Sequence, residues 1–195
     1  MKSQSIASLF KKNNGYLTRS QLPDRNMYEE IRRLISVGKI ERIKNGLYFM
    51  EGMSSRSELI NLTNIVSGGV LCLYSAWFHY GLTVQMPQAF HVAIEKSRKV
   101  TLPEYPFIKL HYWQKNYLEL GVTQVKIDGT DVKMYDIHKS VCDAVKFRAK
   151  IGTETFAEIL KNYLKRKDRN LTKLIDYARA MRVEKIVKTY LEVQL

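Results

Sequence analysis

The chain has 195 residues, a formal net charge of +13 and a sequence pI of about 9.7. Its content of hydrophobic residues, 45%, is typical of a globular protein and excludes wholesale disorder. A charge this positive favours a polyanionic partner, either nucleic acid or an acidic membrane or protein surface, and says nothing about the fold.

The two cysteines and the apolar stretches predict the compartment. Cys72 and Cys142 lie among apolar neighbours without CxxC spacing, so we expect reduced thiols in the core of a cytosolic protein. The N-terminal stretch MKSQSIASLFKK lacks the apolar run of a signal peptide, and GGVLCLYSAWFHYGL is too short to span a bilayer. The sequence therefore predicts a soluble, cytoplasmic protein with no membrane partner.

Two helices are predicted first in the chain. Ile6, Leu9 and Phe10 have the spacing of one helical stripe, and Gly15 is suited to a left-handed cap after it. The stretch Thr18-Arg19-Ser20-Gln21 has capping-box spacing and predicts a very short second helix.

A third helix is predicted from Asp24 or Asn26 to Val37. Its apolar positions recur at i, i+4, i+7 and i+8, namely Met27, Ile31, Leu34 and Ile35. The opposite face carries Arg25, Glu29, Arg32, Arg33 and Ser36, with Tyr28 at its edge. Strand-like residues on both sides of Asn45-Gly46 then predict a β-hairpin.

Three helices followed by a hairpin predict a winged helix-turn-helix. In this architecture the third helix enters the major groove of DNA and the hairpin wing reaches the neighbouring backbone or minor groove. Arg25, Arg32 and Arg33 would then contact base edges, whereas Arg42 and Lys44 would contact phosphates. Two alternatives remain, a solvated helix face and a winged helix that docks to protein.

A small, polar stretch, residues 51–57, is predicted to be a linker between a winged-helix domain of residues 1–52 and a second domain of residues 53–195. Two helices are expected to open the second domain, at about 57–66 and 74–80. Four strand-like segments follow without a helix between them, so a mostly antiparallel sheet is expected. They are AFHVAI, FIKLHYW, VTQVKI and DVKMYD.

Four amphipathic helices are predicted to end the chain as a helical bundle, which makes the fold class α+β. The first begins near Asp136, the second covers about 153–164, and Asn170 caps the third. The densest charge run lies between the second and third helices and consists of Lys165, Arg166, Lys167, Asp168 and Arg169. It is either a solvated loop or an electrostatic patch for a nucleic acid or an acidic partner.

The sequence contains no metal or cofactor motif. The four histidines are scattered, and neither a phosphate-binding glycine loop nor a nucleophile motif is present, so no cofactor is expected. One catalytic alternative rests on Asp131 and Lys133, with Glu104 and Glu119 upstream. An acid-x-Lys strand with an upstream acid is the layout of magnesium-dependent nucleases. Such triplets are common in a chain this rich in charge, and we expect no enzyme.

Several long stretches resemble the AbiEi-type antitoxins of bacterial abortive-infection, or type IV, toxin–antitoxin systems. The first is GYLTRSQLPDRNMYEEIRRLISVGKIERIKNGLYF, which resembles their N-terminal winged helix. The others resemble the antitoxin domain: LYSAWFHYGLTVQMPQAFHVAI, MYDIHKSVCDAVKFRAKIG and YLKRKDRNLTKLIDYARAMRVEKIVKTYLEVQL. The likeness covers nearly the whole chain and keeps the order of its parts.

The resemblance implies an antitoxin of a phage-defence system. Family members bind inverted-repeat operator DNA, repress their own operon, and counter a nucleotidyltransferase-like toxin encoded beside them without a stable complex. Carried over by position, the DNA-binding candidates are Arg19, Arg25, Asn26, Tyr28, Arg32, Arg33, Arg42 and Lys44. Asp136, Ser140 and Asp143 mark the antitoxin domain, with either a functional or a structural role. The alternative is a plain two-domain winged-helix repressor.

Overall fold

The structure is a computed structural model that describes residues 5–50, 52, 58–127 and 129–194. It has an α+β fold and divides into two compact units. The first comprises residues 1–67 and 100–106, and the second comprises residues 68–99 and 107–195. The predicted linker lies, apart from Gly52, outside the described residues. A division by compactness does not decide where a functional domain ends, so the predicted boundary at residue 52 stays a prediction.

In the part that the structure describes, the first unit consists of a three-stranded antiparallel sheet and three helices. Its elements are α1 (Ile6–Lys12), β1 (Tyr16–Thr18), a 3₁₀ turn (Arg19–Gln21), α2 (Arg25–Ser36), β2 (Ile40–Lys44), β3 (Leu47–Met50) and α3 (Glu58–Ile65). The strand order is β1-β3-β2, so the predicted hairpin forms and gains a third strand that the sequence analysis missed. Phe10, Leu17 and Ile31 are fully buried in the core of this unit.

The predicted second helix is a single 3₁₀ turn. The capping box itself is present, with the Thr18 backbone N–H donating to Oε1 of Gln21 at 2.8 Å. The turn cannot lengthen because Leu22 precedes Pro23, and the proline ring disfavours helical backbone in the residue before it. Asp24 then starts α2 as its N-cap.

The second unit contains a five-stranded sheet and six helices among its described residues. Its elements are β4 (Val70–Leu71), α4 (Tyr74–His79), β5 (Phe90–Glu95), β6 (Ile108–Trp113), α5 (Lys115–Leu118), β7 (Val122–Ile127), β8 (Thr130–Tyr135), α6 (Ile137–Ile151), α7 (Thr153–Leu164), α8 (Leu171–Ala180) and α9 (Glu184–Gln194). All four predicted C-terminal helices are present, and α6 contacts the other three.

The expectation of a mostly antiparallel sheet is wrong. The strand order is β6-β5-β4-β8-β7, in which the β5–β6 and β4–β8 pairs are parallel and the β4–β5 and β7–β8 pairs antiparallel. Residues 96–107 join β5 to β6 and are long enough for a parallel crossover, which needs about a dozen residues but no helix. The central strand β4 has only two residues, too few for a recognisable sequence pattern.

Both cysteines lie in the interior of the second unit, as predicted. Cys72 and Cys142 are fully buried free thiols. Burial raises the pKa of Cys72 well above its ordinary value and that of Cys142 to about 12. Both thiols are therefore protonated and unreactive at neutral pH, as befits packing residues.

Gly121 shows how closely the sheet and α6 approach each other. Its φ is +68°, and its carbonyl accepts a hydrogen bond from the Asp136 backbone N–H at 2.7 Å. A Cβ at this position would lie 2.6 Å from Cβ of Lys139, which is fully buried. Glycine is required here both by the backbone conformation and by the absence of space.

Gly121→Ala is expected to lower the free energy of unfolding by about 2–5 kcal/mol, because strain in the left-handed region adds to overpacking. Gly129→Ala is the matched control, since Gly129 has a φ of +78° and nothing within 4 Å of an added Cβ. It should lose only about 1–2 kcal/mol. Urea denaturation of both variants measures the difference, and equal losses would show that the close approach to Lys139 is not a constraint.

Candidate nucleic-acid interface

Helix α2 presents a charged face to solvent, and a side-chain cap determines where the helix begins. The Asp24 side chain caps the helix, with Oδ1 accepting from the Met27 backbone N–H at 2.8 Å. Ile31 is fully buried, whereas Arg25, Arg32 and Arg33 are exposed. The predicted division of α2 into an apolar and a basic face is confirmed.

Two arginines and two tyrosines connect α2 to the turn before it and to the β2–β3 hairpin. This basic–aromatic cluster consists of Arg19, Tyr28, Arg42 and Tyr48. The Arg19 guanidinium lies over the Tyr28 ring, 4.6 Å from its centroid, and Arg42 stands opposite Tyr48 in the β2–β3 pair. Burial raises the pKa of the Tyr48 hydroxyl, its hydrogen-bonded neighbour Tyr28 adds to this, and Arg42 and Arg19 oppose it.

The tip of the hairpin is attached to the same turn. The Arg19 backbone N–H donates to the Gly46 carbonyl at 2.8 Å, and Arg42 donates to Oδ1 of Asn45 at 3.0 Å. Gly46 has a φ of +76°, and the strand register shifts between Arg42 and Lys44. The positions of two guanidinium groups relative to α2 are therefore determined by contacts within the unit.

The eight DNA-binding candidates differ in how accessible they are. Six are exposed, namely Arg19, Arg25, Asn26, Arg32, Arg33 and Arg42, whereas Tyr28 and Lys44 are half-buried. Lys44 Nζ donates to the Ile65 carbonyl at 2.7 Å, so its ammonium has a structural partner. The Arg32–Glu29 pair, at 3.4 Å with both side chains more than half exposed, is a weak surface pair that leaves Arg32 available. A role in DNA binding stays a prediction for all eight.

Asp136, which the resemblance places in an antitoxin-domain motif with Ser140 and Asp143, caps α6 in the second unit. Its Oδ1 accepts from the Lys139 backbone N–H at 2.9 Å. Its Oδ2 accepts from Lys173 Nζ at 2.8 Å and from the Tyr177 hydroxyl at 3.1 Å. Ser140 is fully buried, and its carbonyl accepts from the Trp77 indole N–H at 2.8 Å. These contacts give both residues structural roles.

Asp143, the third motif residue, forms a buried ion pair that the sequence analysis missed. Lys139 and Asp143 are both 0% exposed, with Nζ 2.5 Å from Oδ1. The ammonium also lies 4.0 Å from the Tyr135 ring centroid and 4.5 Å from that of Trp113. Burial raises the pKa of Asp143, and Lys139 opposes this. The sequence feature that could have predicted this pair is the i, i+4 spacing of the lysine and the aspartate on the apolar side of α6.

Two of the four histidines, His91 and His111, are far apart in the sequence but lie next to each other in the β-sheet. Nε2 of His111 lies 3.1 Å from Nδ1 of His91, within hydrogen-bond distance. Burial, reinforced by nearby positive charge, lowers the pKa of each to about 4. The pair is therefore neutral at physiological pH.

The basic run at 165–169 is partly a structural loop. The Arg166 guanidinium forms a bidentate hydrogen-bonded contact with the Asp168 carboxylate, at 2.8 and 2.9 Å, and donates to the Tyr80 carbonyl at 2.9 Å. Arg169 donates to the Arg166 carbonyl at 3.0 Å. Lys165 and Lys167 are exposed.

The residues of the nuclease alternative lie on the surface. Asp131 and Lys133 are exposed on β8, opposite Lys126 and Gln124 of β7. Glu119 is exposed at the end of α5, and Glu104 lies in the segment that groups with the first unit. Within the described ranges, no group of three or more histidine, cysteine, aspartate and glutamate side chains could hold a metal ion.

The comparisons with known proteins establish no family. No family model and no curated protein matches the chain. The crystal structure of the RV2827C protein from Mycobacterium tuberculosis is similar over 92% of this chain and 75% of that one, with 13% identity and a TM-score of 0.49. A likeness at this level establishes neither a shared family nor a shared activity. None of the helices in the described part of the chain has the length and apolar character to cross a membrane.

Substitutions at the buried ion pair test whether Asp143 has a purely structural role. Lys139→Met alone should lower the free energy of unfolding by about 3–5 kcal/mol, because it leaves a buried carboxylate without its cation. The double variant Lys139→Met/Asp143→Leu should recover most of this loss, because both charges are gone. Urea denaturation at neutral pH is the measurement.

The matched control is Lys133→Met on the exposed face of β8, where a change within about 0.5 kcal/mol is expected. A double variant as unstable as Lys139→Met would contradict the ion-pair explanation and assign the loss to packing around the lysine side chain.

Proposed function

We propose that the first unit is a winged helix that binds operator DNA and represses the operon encoding this protein. The order α1, β1, 3₁₀ turn, α2 and β2–β3 hairpin, with strand order β1-β3-β2, supports this proposal. In this arrangement α2 is the recognition helix and the hairpin is the wing. The 3₁₀ turn takes the place of the second helix.

The basic–aromatic cluster is the observation that carries the proposal. DNA recognition needs base contacts from a helix and phosphate contacts that set its register. In the cluster, Arg19 over Tyr28 joins the turn to α2. The hydrogen bond between Tyr28 and Tyr48 joins α2 to the hairpin, where Arg42 stands opposite Tyr48. Because its two arginines are exposed, the contacts that order them leave guanidinium surface for phosphate.

We further propose that the chain is the antitoxin of an abortive-infection system and that its second unit counters a nucleotidyltransferase-like toxin. The resemblance of its sequence to AbiEi-type antitoxins supports this. The alternative function, a plain two-domain repressor, predicts a different result, because such a repressor would give no protection from a toxin.

Two arginine substitutions should separate base recognition from phosphate contact. Arg32→Ala should reduce the preference for the upstream region over scrambled DNA by about 1–3 kcal/mol, because a base contact is lost. Arg42→Ala should weaken binding to both DNAs alike and reduce the slope of log K against log salt by about 0.9, because one phosphate contact is lost. Fluorescence anisotropy over a salt series measures both quantities.

Lys126→Ala, an exposed lysine on β7 of the second unit, is the control and should change neither quantity. Equal affinity of the unmodified protein for its upstream region and for scrambled DNA at physiological salt would contradict sequence-specific binding.

Protection from the toxin should not require DNA binding. The full-length variant Arg32→Ala/Arg42→Ala should lose repression of the promoter but still protect cells that express the neighbouring toxin, because the second unit is unchanged. Colony survival and a promoter reporter, compared at equal protein levels, are the measurements. Loss of protection together with repression would mean that the chain acts only through transcription.

A further inference from the structure

Residues 82–88 follow α4 and expose two large apolar side chains of the second unit. Val84 is 85% exposed and Met86 is 77% exposed. Leu82, at the start of this 82–88 loop, is fully buried, and its backbone N–H donates to the Trp77 carbonyl at 2.8 Å. The loop is therefore anchored in the core at one end and apolar at its tip.

Side chains of α7 hold the backbone of this loop. The Glu158 carboxylate accepts from the Val84 backbone N–H and from the Thr83 hydroxyl, both at 3.1 Å. Asn162, one helical turn further on, donates to the Leu82 carbonyl at 3.1 Å. The Thr83 hydroxyl oxygen in turn accepts from the Gln85 backbone N–H at 3.2 Å. Backbone groups of three residues of the loop are thus bonded to polar side chains.

This combination is typical of a binding loop. A single exposed apolar side chain is ordinary on a protein surface. Here two stand on a backbone that is already ordered, so a partner that covers them need not bear the entropic cost of ordering the loop. Unbranched methionine also adapts its shape to an apolar cleft.

The charge around the loop indicates the character of the partner. Arg166 donates to the Tyr80 carbonyl, which places the 165–169 loop beside the end of α4. Lys161, between Glu158 and Asn162 on α7, and Lys165, directly after the end of α7, are exposed. A complementary surface would be apolar at its centre and acidic at its rim. A second copy of this chain is disfavoured because each copy carries a net charge of +13.

We propose that the 82–88 loop docks transiently into an apolar cleft with an acidic rim on the toxin, with Val84 and Met86 as the anchors. This inference rests on the proposed antitoxin function and specifies its contact surface. Glu158 and Asn162 are positioning residues that hold the loop for binding.

The test measures binding of the purified neighbouring toxin to the full-length protein. Val84→Ser/Met86→Ser should weaken the Kd roughly tenfold or more, because both anchors are lost. Both side chains are exposed, so the fold should be unaffected, and equal melting temperatures check this. Tyr112→Ser, a 55% exposed aromatic on β6 of the same unit, is the matched control and should bind as the unmodified protein does.

Two further variants probe the rest of the surface. Lys161→Glu/Lys165→Glu should slow association with the toxin and reduce its salt dependence, because the electrostatic attraction is weakened. Glu158→Ala should weaken binding by a smaller factor, because the anchors remain but the loop is released.

Three outcomes of the binding measurements would overturn the docking proposal. One is no binding by the unmodified protein at toxin concentrations up to about 100 μM. Another is equal toxin affinity of the unmodified protein and Val84→Ser/Met86→Ser. The third is loss of DNA affinity in that variant without loss of toxin affinity, which would make the loop a nucleic-acid contact. Colony survival separates docking from the antitoxin function. Full protection by Val84→Ser/Met86→Ser would reject the docking proposal alone. No protection by the unmodified protein would reject the antitoxin function.

Discussion

The second unit is organised around one buried positive charge, the ammonium group of Lys139. It pairs with Asp143 one helical turn along α6 and lies against aromatic rings of Tyr135 on β8 and Trp113 on β6. Its stem also approaches Gly121, directly before β7, so closely that no side chain fits there. An unpaired charge in such surroundings would cost several kcal/mol, so the helix and the sheet must adopt the arrangement that surrounds it.

The same chemistry, a cation against an aromatic ring, recurs in the first unit. Arg19 lies over Tyr28 and so joins the turn to α2. The positive charge of this protein therefore divides into cations with structural partners and cations that are accessible to a binding partner. Part of it is structural, as in Lys139 and in Lys44, whose ammonium bonds to the Ile65 carbonyl. The net charge of +13 overstates what is available to a partner, and accessible cations such as Arg25 and Arg33 matter more than the total.

The proposed division of work follows from two differently built surfaces. The basic face of α2 and the adjoining hairpin are polar and charged, which suits a phosphate backbone. The 82–88 loop instead exposes Val84 and Met86 on a backbone bonded to Glu158 and Asn162, which suits an apolar cleft on a protein. The motif at the start of α6 has structural contacts, so the proposed contact with a toxin lies on the exposed loop rather than at Asp136 or Asp143.

Local patterns in the sequence were enough to predict α1, α2, the hairpin and the four C-terminal helices, down to the capping residues Asp136 and Asn170. Helical stripes and caps depend on residues three or four apart, so the information is contiguous. The tertiary structure alone decided the strand directions, because β4 has two residues and is defined by its neighbours β5 and β8. It also decided the Lys139–Asp143 environment and the anchoring of the 82–88 loop, since Glu158 acts on Val84 from a distant part of the chain. Such contacts depend on packing between elements, which spacing along one element does not encode.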